Sequence, residues 1–568
     1  MHYTLSFPYP ARQVIEIAIQ TQAHCENPIF HLPKWRPGRY ELQRFDKLIA
    51  DVSAKNETEK TLLVSKLTTH SWQIQAAKGE NISLSYSFYA NQRDSGGSVF
   101  DAEGIYINPC NLLLYTDSSI NEACDLTLNI PDEYQIATGL RRDGNTLYAK
   151  DFHEMADAPF FAGNNLLPHT FQVLALNVHL WFWGECKPDF EKLEADITAY
   201  TTTQIELYGD CPVSEYHYLL QILPYKYRHG VEHQHCSVNT FGPGLTLMEN
   251  DKYESFVELL SHEFFHTWNV KYVRPADMYP YDYGKENYSE LHYVTEGVTS
   301  YYGDLMLLKS GIYDVKRFLK NLNTEIAELY LMPGKDYISL TQSSFNSWVN
   351  GYGVDTGIPN RKISFYTKGY IVAFLLDCEI RQASHNQYSM DTVLKDSYQL
   401  IAKNGRGYTE ADYKGLCEQY AGKDLTAFFE KYIHGTVSLE DALRAAGKYL
   451  GWAVKMGQIS LVAEAKWGLK LAGNLVEGVY PNSPAEQAGI AKDDEIVAIN
   501  HKKATLTQEL FSYFLEEESI SLIYFHFEQL KEAILQAEKI NPRQIPFYTD
   551  SPFPIDSAEE NRNIWQKL

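Results

Sequence analysis

The spacing of hydrophobic and polar positions changes along the chain, and each change predicts a different kind of element. Before about residue 165 the period is two. Ile82, Leu84, Tyr86 and Phe88 alternate with Ser83, Ser85 and Ser87 between Gly-bearing turns, the pattern of a half-buried antiparallel strand. Another strand-like run starts at Phe171 and passes through Trp181-Phe182-Trp183. The period then becomes helical. Phe256, Leu260 and Phe264 recur at helical spacing in a stretch, Glu254 to Val270, without Gly or Pro, and mostly helical sequence continues to about residue 445. Ile371, Val372, Phe374, Leu375, Leu376 and Cys378 are apolar nearly all round, which predicts a buried core helix too short to span a membrane. Strand-like sequence returns after about residue 450. With 568 residues, more than one core usually supports, the prediction is a multidomain α+β protein: an amino-terminal antiparallel β domain over 1–168, a mainly helical domain over 169–447, a small β-rich domain over 448–530 and a charged, Pro-bearing tail over 531–568.

The helical stretch contains Ser261-His262-Glu263-Phe264-Phe265-His266. Residues four apart share a helix face, so two imidazoles stand one turn apart with a carboxylate beside them. His262 and His266 can hold one tetrahedral metal ion, and Glu263 can act as general base on a water at that ion. A hydrolytic zinc centre needs a third protein ligand and one open position. The run from Tyr293 to Tyr302, which begins 27 residues after His266, reads as a second helix and offers Glu296, with Glu290 and Asp304 as competing carboxylates. The predicted cofactor is one zinc ion per chain; two His and a carboxylate also suit iron, and zinc rests on the helical setting of the motif. His229, His233 and His235 have no Cys or Asp at ligand spacing, and no second metal site is expected there.

The run HEFFHTWNVKYVRP, the later TEGVTSYYGD and a carboxy-terminal PDZ-like segment together resemble the glycyl aminopeptidase family of zinc metallopeptidases. The Glu-Gly-Val-Thr setting of Glu296 resembles the gluzincin pattern, which implies Glu296 as the third ligand and a structural role for Asp304. The family is similar to the aminopeptidase N group, which implies a thermolysin-like catalytic domain against which the β domain packs. Phe365-Tyr366-Thr367-Lys368-Gly369-Tyr370 resembles a Tyr-x-Lys-Gly pattern, and this implies that the Tyr366 hydroxyl steadies the oxyanion formed during hydrolysis. His229-Gly230-Val231-Glu232-His233 is similar to the family's Gly-Gly-Leu-Glu-His stretch and departs from it at His229 and Val231. The likeness implies that Glu232 binds the substrate's free amino terminus, with Gly230 and His233 lining the substrate cleft. The implied activity is removal of a small first residue, Gly or Ala, from peptides, because an anchored amino terminus lets only the first peptide bond reach the metal. An endopeptidase of protein quality control that uses the PDZ segment to recognise chain ends is the main alternative. A non-catalytic adaptor is disfavoured by the intact Glu263, which a structural metal site does not need.

The PDZ resemblance lies in Trp467-Gly468-Leu469-Lys470-Leu471, in Ser483-Pro484-Ala485-Glu486-Gln487-Ala488-Gly489 and in Asp494 to Asn500, with Asp493 where Gly is usual. It implies that Lys466 to Leu471 form the loop and strand that take a chain terminus, unless the module only packs against its neighbours. The tail beyond it reads as either a docked arm or a partly disordered segment. Net charge is 50 − 73 = −23, which argues against nucleic-acid or anionic-membrane partners. The start lacks a cationic segment followed by a long apolar one, and eight scattered Cys suit reduced thiols, so the expected location is the cytoplasm.

Overall fold

The computed structural model describes residues 1–350, 361–458, 462–505, 507–537, 544–549 and 556–567. The chain forms two compact units, one of residues 1–288, 302–312 and 394–409, the other of residues 289–301, 313–393 and 410–568. The architecture is multidomain α+β, as the sequence predicts. No helix among the described residues is long and apolar enough to cross a membrane.

The first unit opens with β structure. Strand Asn81–Tyr89 lies between Val14–Gln22 and Ile49–Asn56, antiparallel to both, within an eight-stranded sheet. Ile82, Leu84, Tyr86 and Phe88 are buried on one face, which bears out the period-two reading. A five-stranded sheet follows, in the order Leu167–Val173, Leu176–Trp183, Glu215–Ile222, Cys236–Gly242 and Tyr227–Glu232. Its strands Glu215–Ile222 and Cys236–Gly242 run parallel and are buried on both faces, as covered parallel strands are, with His217, Gln221, Ser237, Asn239 and Thr240 among the buried side chains. Tyr227–Glu232 is an edge strand, antiparallel to Cys236–Gly242.

Helix Asn250–Phe265 packs against these last two strands with Phe256, Leu260 and Phe264 fully buried. It ends five residues earlier than the Gly- and Pro-free stretch allows. The next turns tighten, the Thr267 N–H bonding Phe264 O and the Trp268 N–H bonding Phe265 O. Trp268 then stacks on Tyr208, with centroids 4.6 Å apart and planes 7° apart, and donates its indole N–H to Asp210 O at 3.1 Å. Burying that indole against the helix Phe190–Tyr208 is worth more than one further helical turn.

The second unit is built on helix Phe365–Ala383, buried on nearly every face as its uniform apolarity predicts. Against it lies the run that carries Glu296, a π-helical turn over Tyr293–Val298 that continues as α-helix from Thr299. Gly297 and Gly369 form the contact: a Cβ on Gly297 would stand 2.5 Å from Gly369 Cα. The PDZ-like module has its own core around Trp467, Leu469, Ile496, Phe511 and Leu522. Leu469–Ala472 is its edge strand, while Ala463–Trp467 forms a helical turn rather than an open loop. The strands entering and leaving the module, Ala453–Gln458 and Gln544–Thr549, pair antiparallel with each other. The tail reading extends over residues 538–543, 550–555 and 568, which lie outside the described residues; helix Asp556–Trp565 is described, with Trp565 fully buried.

Gly369→Ala should force the two helices of the second unit apart and destabilise the protein by about 1–3 kcal/mol, as overpacking does. Urea unfolding of the variant and the parent at neutral pH measures it.

Candidate functional site

His262 faces the same side of its helix as His266, which caps the helix end. Their Nε2 atoms are 3.1 Å apart and their rings cross at 83°. Two nitrogens at about 2.0–2.1 Å from one tetrahedral ion stand roughly 3.3 Å apart, so the pair fits a single zinc ion without moving. His266 Nδ1 donates to Asn269 O at 2.7 Å, which leaves the Nε2 lone pair for a metal. Burial, the second imidazole and Arg228 keep His262 neutral, its pKa well below the ordinary value. The helix beneath the pair is pinned: Gln204 Nε2 donates to Ser261 O at 3.1 Å, and Ser261 Oγ donates to Gly303 O at 3.0 Å.

Glu263 is buried, and its backbone carbonyl accepts from the Tyr216 hydroxyl at 3.2 Å. Its carboxylate lies against Gly230 on the edge strand, where a Cβ would stand 2.0 Å from Oε1. Two residues on, and so on the same strand face, stands Glu232. Glu232 is 4 % exposed, and its Oε1 has no hydrogen-bond partner among the described residues. The other side of this carboxylate is closed by Gly38, at φ +80°, where a Cβ would come within 2.6 Å of Oε2. Glu232, Glu263 and His266 offer ligand atoms within 4.8 Å of one another. Of the residues singled out from the sequence, the first unit therefore gathers His262, His266, Glu263, Gly230 and Glu232 in one place.

His233 turns elsewhere. Its Nδ1 pairs with Asp157 Oδ1 at 3.1 Å; the same oxygen accepts from Lys271 Nζ at 2.8 Å, and Oδ2 accepts from the Gln234 N–H at 2.9 Å. Burial pushes the Asp157 carboxyl up, but the Lys271 ammonium and the His233 hydrogen bond outweigh burial and hold it well below the usual carboxylate range. This buried network fixes both the strand end that carries Glu232 and the turn after His266. Sequence reasoning missed Asp157, Lys271 and Gly38. Lys271 lies inside the HEFFHTWNVKYVRP run, whereas nothing local marks Asp157 or Gly38.

In the second unit, Glu296 is buried inside the π-helical turn, an irregularity common at functional positions. Tyr366 sits in the first turn of its helix, with the ring of Phe365 stacked on it at 4.8 Å, and Ser364 caps that turn by accepting from the Thr367 N–H at 3.1 Å. Glu296 and Tyr366 each lie within a few residues of the Gly297–Gly369 contact.

A different cluster, His179, Glu215 and His217, also offers three ligand atoms close together. Its imidazoles are stacked, with centroids 4.4 Å and planes 18° apart, so their in-plane lone pairs run nearly parallel and do not converge on one ion. Trp181 also donates its indole N–H to His217 Nδ1 at 3.2 Å, which puts the ring proton on Nε2. His229 and His235 belong to no three-residue ligand group among the described residues.

Residues 255–372 match the M61 glycyl aminopeptidase family, residues 2–164 match the Peptidase M61 N-terminal domain, and residues 475–522 match a PDZ domain. No curated protein matches. Among solved structures, an aminopeptidase N family protein from Idiomarina loihiensis is similar over 100 % of both chains, at 24 % identity and a TM-score of 0.91, and so has the same fold. An M1 zinc metallopeptidase variant from Deinococcus radiodurans, bound to a Tyr-Ser-Ala substrate, is similar over 78 % of this chain and 93 % of its own, at 14 % identity and a TM-score of 0.46.

The Asp157 network should make stability fall with acid. A carboxyl whose folded pKa lies below its unfolded value of about 3.9 contributes stability that is full above that value and is lost as pH falls through the folded one. Asp157→Asn should cost about 3–5 kcal/mol at pH 7, because it leaves the Lys271 ammonium buried and unanswered, and should flatten the loss below about pH 4. Urea unfolding of both proteins at pH 7 and in the acid range tests this.

Proposed function

Since the chain belongs to the M61 glycyl aminopeptidase family and is a peptidase, we propose that it is a zinc aminopeptidase that removes small first residues, Gly or Ala, from peptides. The observation that carries this reading is the convergence of His262 and His266, with Nε2 atoms 3.1 Å apart, beside the buried carboxylates of Glu263 and Glu232. His262 and His266 would hold the ion, with Glu296 as third ligand. When bound, zinc supplies a Lewis acid that polarises the scissile carbonyl and eases deprotonation of water.

The chain's own side chains do the rest. Glu263 takes a proton from the attacking water on its carboxylate and passes it to the leaving amine. Its position against Gly230 fixes that carboxylate in a water-poor site, where a general base is most effective. Glu232 binds the substrate's ammonium group. A buried carboxylate oxygen with no partner of its own is costly, and an incoming cation relieves that cost. Tyr366 donates its hydroxyl to the developing oxyanion. Gly230, whose missing side chain admits the Glu263 carboxylate, meets the substrate through its backbone on the edge strand, and His233, held by Asp157, forms the cleft wall behind Glu232. Peptides with free amino termini are the substrates, and a chain terminus added along strand Leu469–Ala472 is the partner proposed for the PDZ-like module. The cysteines are unpaired, which supports a reducing compartment such as the cytoplasm.

Zinc-loaded protein should release the first residue from Gly- and Ala-initiated peptides and leave their acetylated forms intact, as read by mass spectrometry. Internal cuts in both forms would instead assign an endopeptidase. Glu263→Gln should lower kcat by about 10²–10⁴, and Tyr366→Phe by about 10²–10³. Glu232→Ala should chiefly erase the preference for free over acetylated peptides.

A further inference from the structure

The last helix of the chain reaches into the helix pair that carries Glu296 and Tyr366. Asp377, fully buried on helix Phe365–Ala383, is surrounded by four donors. Its Oδ1 accepts from Arg381 Nε and from the Met390 N–H, both at 3.0 Å. Its Oδ2 accepts from the Tyr301 hydroxyl at 3.0 Å and from the Trp565 indole N–H at 3.2 Å. The same indole N–H lies 3.2 Å from the Tyr301 hydroxyl oxygen. Tyr301 follows Glu296 by five residues on one continuous helical run. A residue three places from the end of the chain thus closes the junction between the Glu296 helix and the Tyr366 helix.

The arm that delivers Trp565 is held at Tyr548 and at Asn561. Tyr548 and Asn323 exchange two hydrogen bonds, at 2.7 and 2.9 Å, and Asn561 bonds Tyr449 O at 3.1 Å. The indole packs edge-on against Phe318 at 5.0 Å and Trp452 at 5.5 Å. Apolar cover alone would need no hydrogen bond to a buried carboxylate, and an unpaired carboxylate in such a place is costly. At the Gly297–Gly369 contact the two helices touch backbone to backbone, so no side chain there can absorb a shift of either.

Resting on the aminopeptidase reading, we propose that Trp565 is a positioning residue of the active site: through Asp377 and Tyr301 it fixes the register of the Glu296 helix against the Tyr366 helix. The PDZ-like module is then an insertion inside the catalytic body, entered and left through the paired strands Ala453–Gln458 and Gln544–Thr549, rather than an appendage at its end.

Trp565→Phe keeps an aromatic ring and removes the N–H. In the zinc-loaded variant, kcat on a free Gly-initiated peptide should fall about tenfold or more with KM changed less than about twofold, since small misplacements of reacting groups cost rate rather than binding. A chelator should also strip zinc from the variant several-fold faster than from the parent. Parental kcat and stripping rate, whatever happens to thermal stability, would overturn the proposal and reduce Trp565 to a packing residue. Should the variant not fold, the parent carries the test: coupling is reciprocal, so zinc loading should slow amide hydrogen exchange over residues 556–567. Unchanged exchange there overturns it. A parent that binds zinc and cuts acetylated peptides internally would sink the aminopeptidase reading while leaving the exchange and stripping outcomes to decide on Trp565.

Discussion

The space between Gly230 and Glu263 holds either a Cβ or a carboxylate, and the chain has chosen the carboxylate. Because the edge strand carries no side chain there, the histidine helix lies close enough for Glu263 to be buried against backbone. That approach brings Glu232, on the same strand face, within reach of Glu263 and His266. A larger residue at position 230 would push the helix away and disperse the group. The central chemistry therefore depends on a missing methyl group as much as on any charged side chain.

Placing so many polar groups in a dry interior needs counterweights, and the first unit supplies them in one connected network. Asp157 pairs with both Lys271 and His233 beside Glu232, and the three tie the strand end to the turn after His266. The imidazole pair is treated differently. Burial keeps His262 neutral, the Asn269 carbonyl orients His266, and the two Nε2 atoms stand close enough to share one ion. The stacked histidines at positions 179 and 217 show the contrast, since equal proximity without convergent lone pairs gives no metal geometry.

The second unit repeats the device of close backbone contact at Gly297 and Gly369, and it buries a carboxylate, Asp377, that draws donors from Tyr301 and Trp565 in distant parts of the sequence as well as from Arg381 one turn along its own helix. The π-helical turn at Glu296 belongs to the same economy of space. One extra residue in the turn lets Gly297 face its partner while Glu296 remains buried on the run. The carboxy-terminal arm completes this unit, so the order of segments along the chain does not match the order in which they are packed.

The sequence by itself determined whatever repeats over a few residues. The alternation at 82–88, the apolar helix after Tyr366 and the i, i+4 histidines follow from strand and helix periods that no tertiary contact needs to correct. The end of the histidine helix at Phe265 did need one, because the stacking of Trp268 on Tyr208 joins residues 60 positions apart. Gly38 on Glu232, Asp157 on Lys271 and Trp565 on Asp377 were likewise decided only by the tertiary structure. Each is a single residue without a local pattern, and its role comes from a partner more than 100 residues away, brought near by the folding of the whole unit.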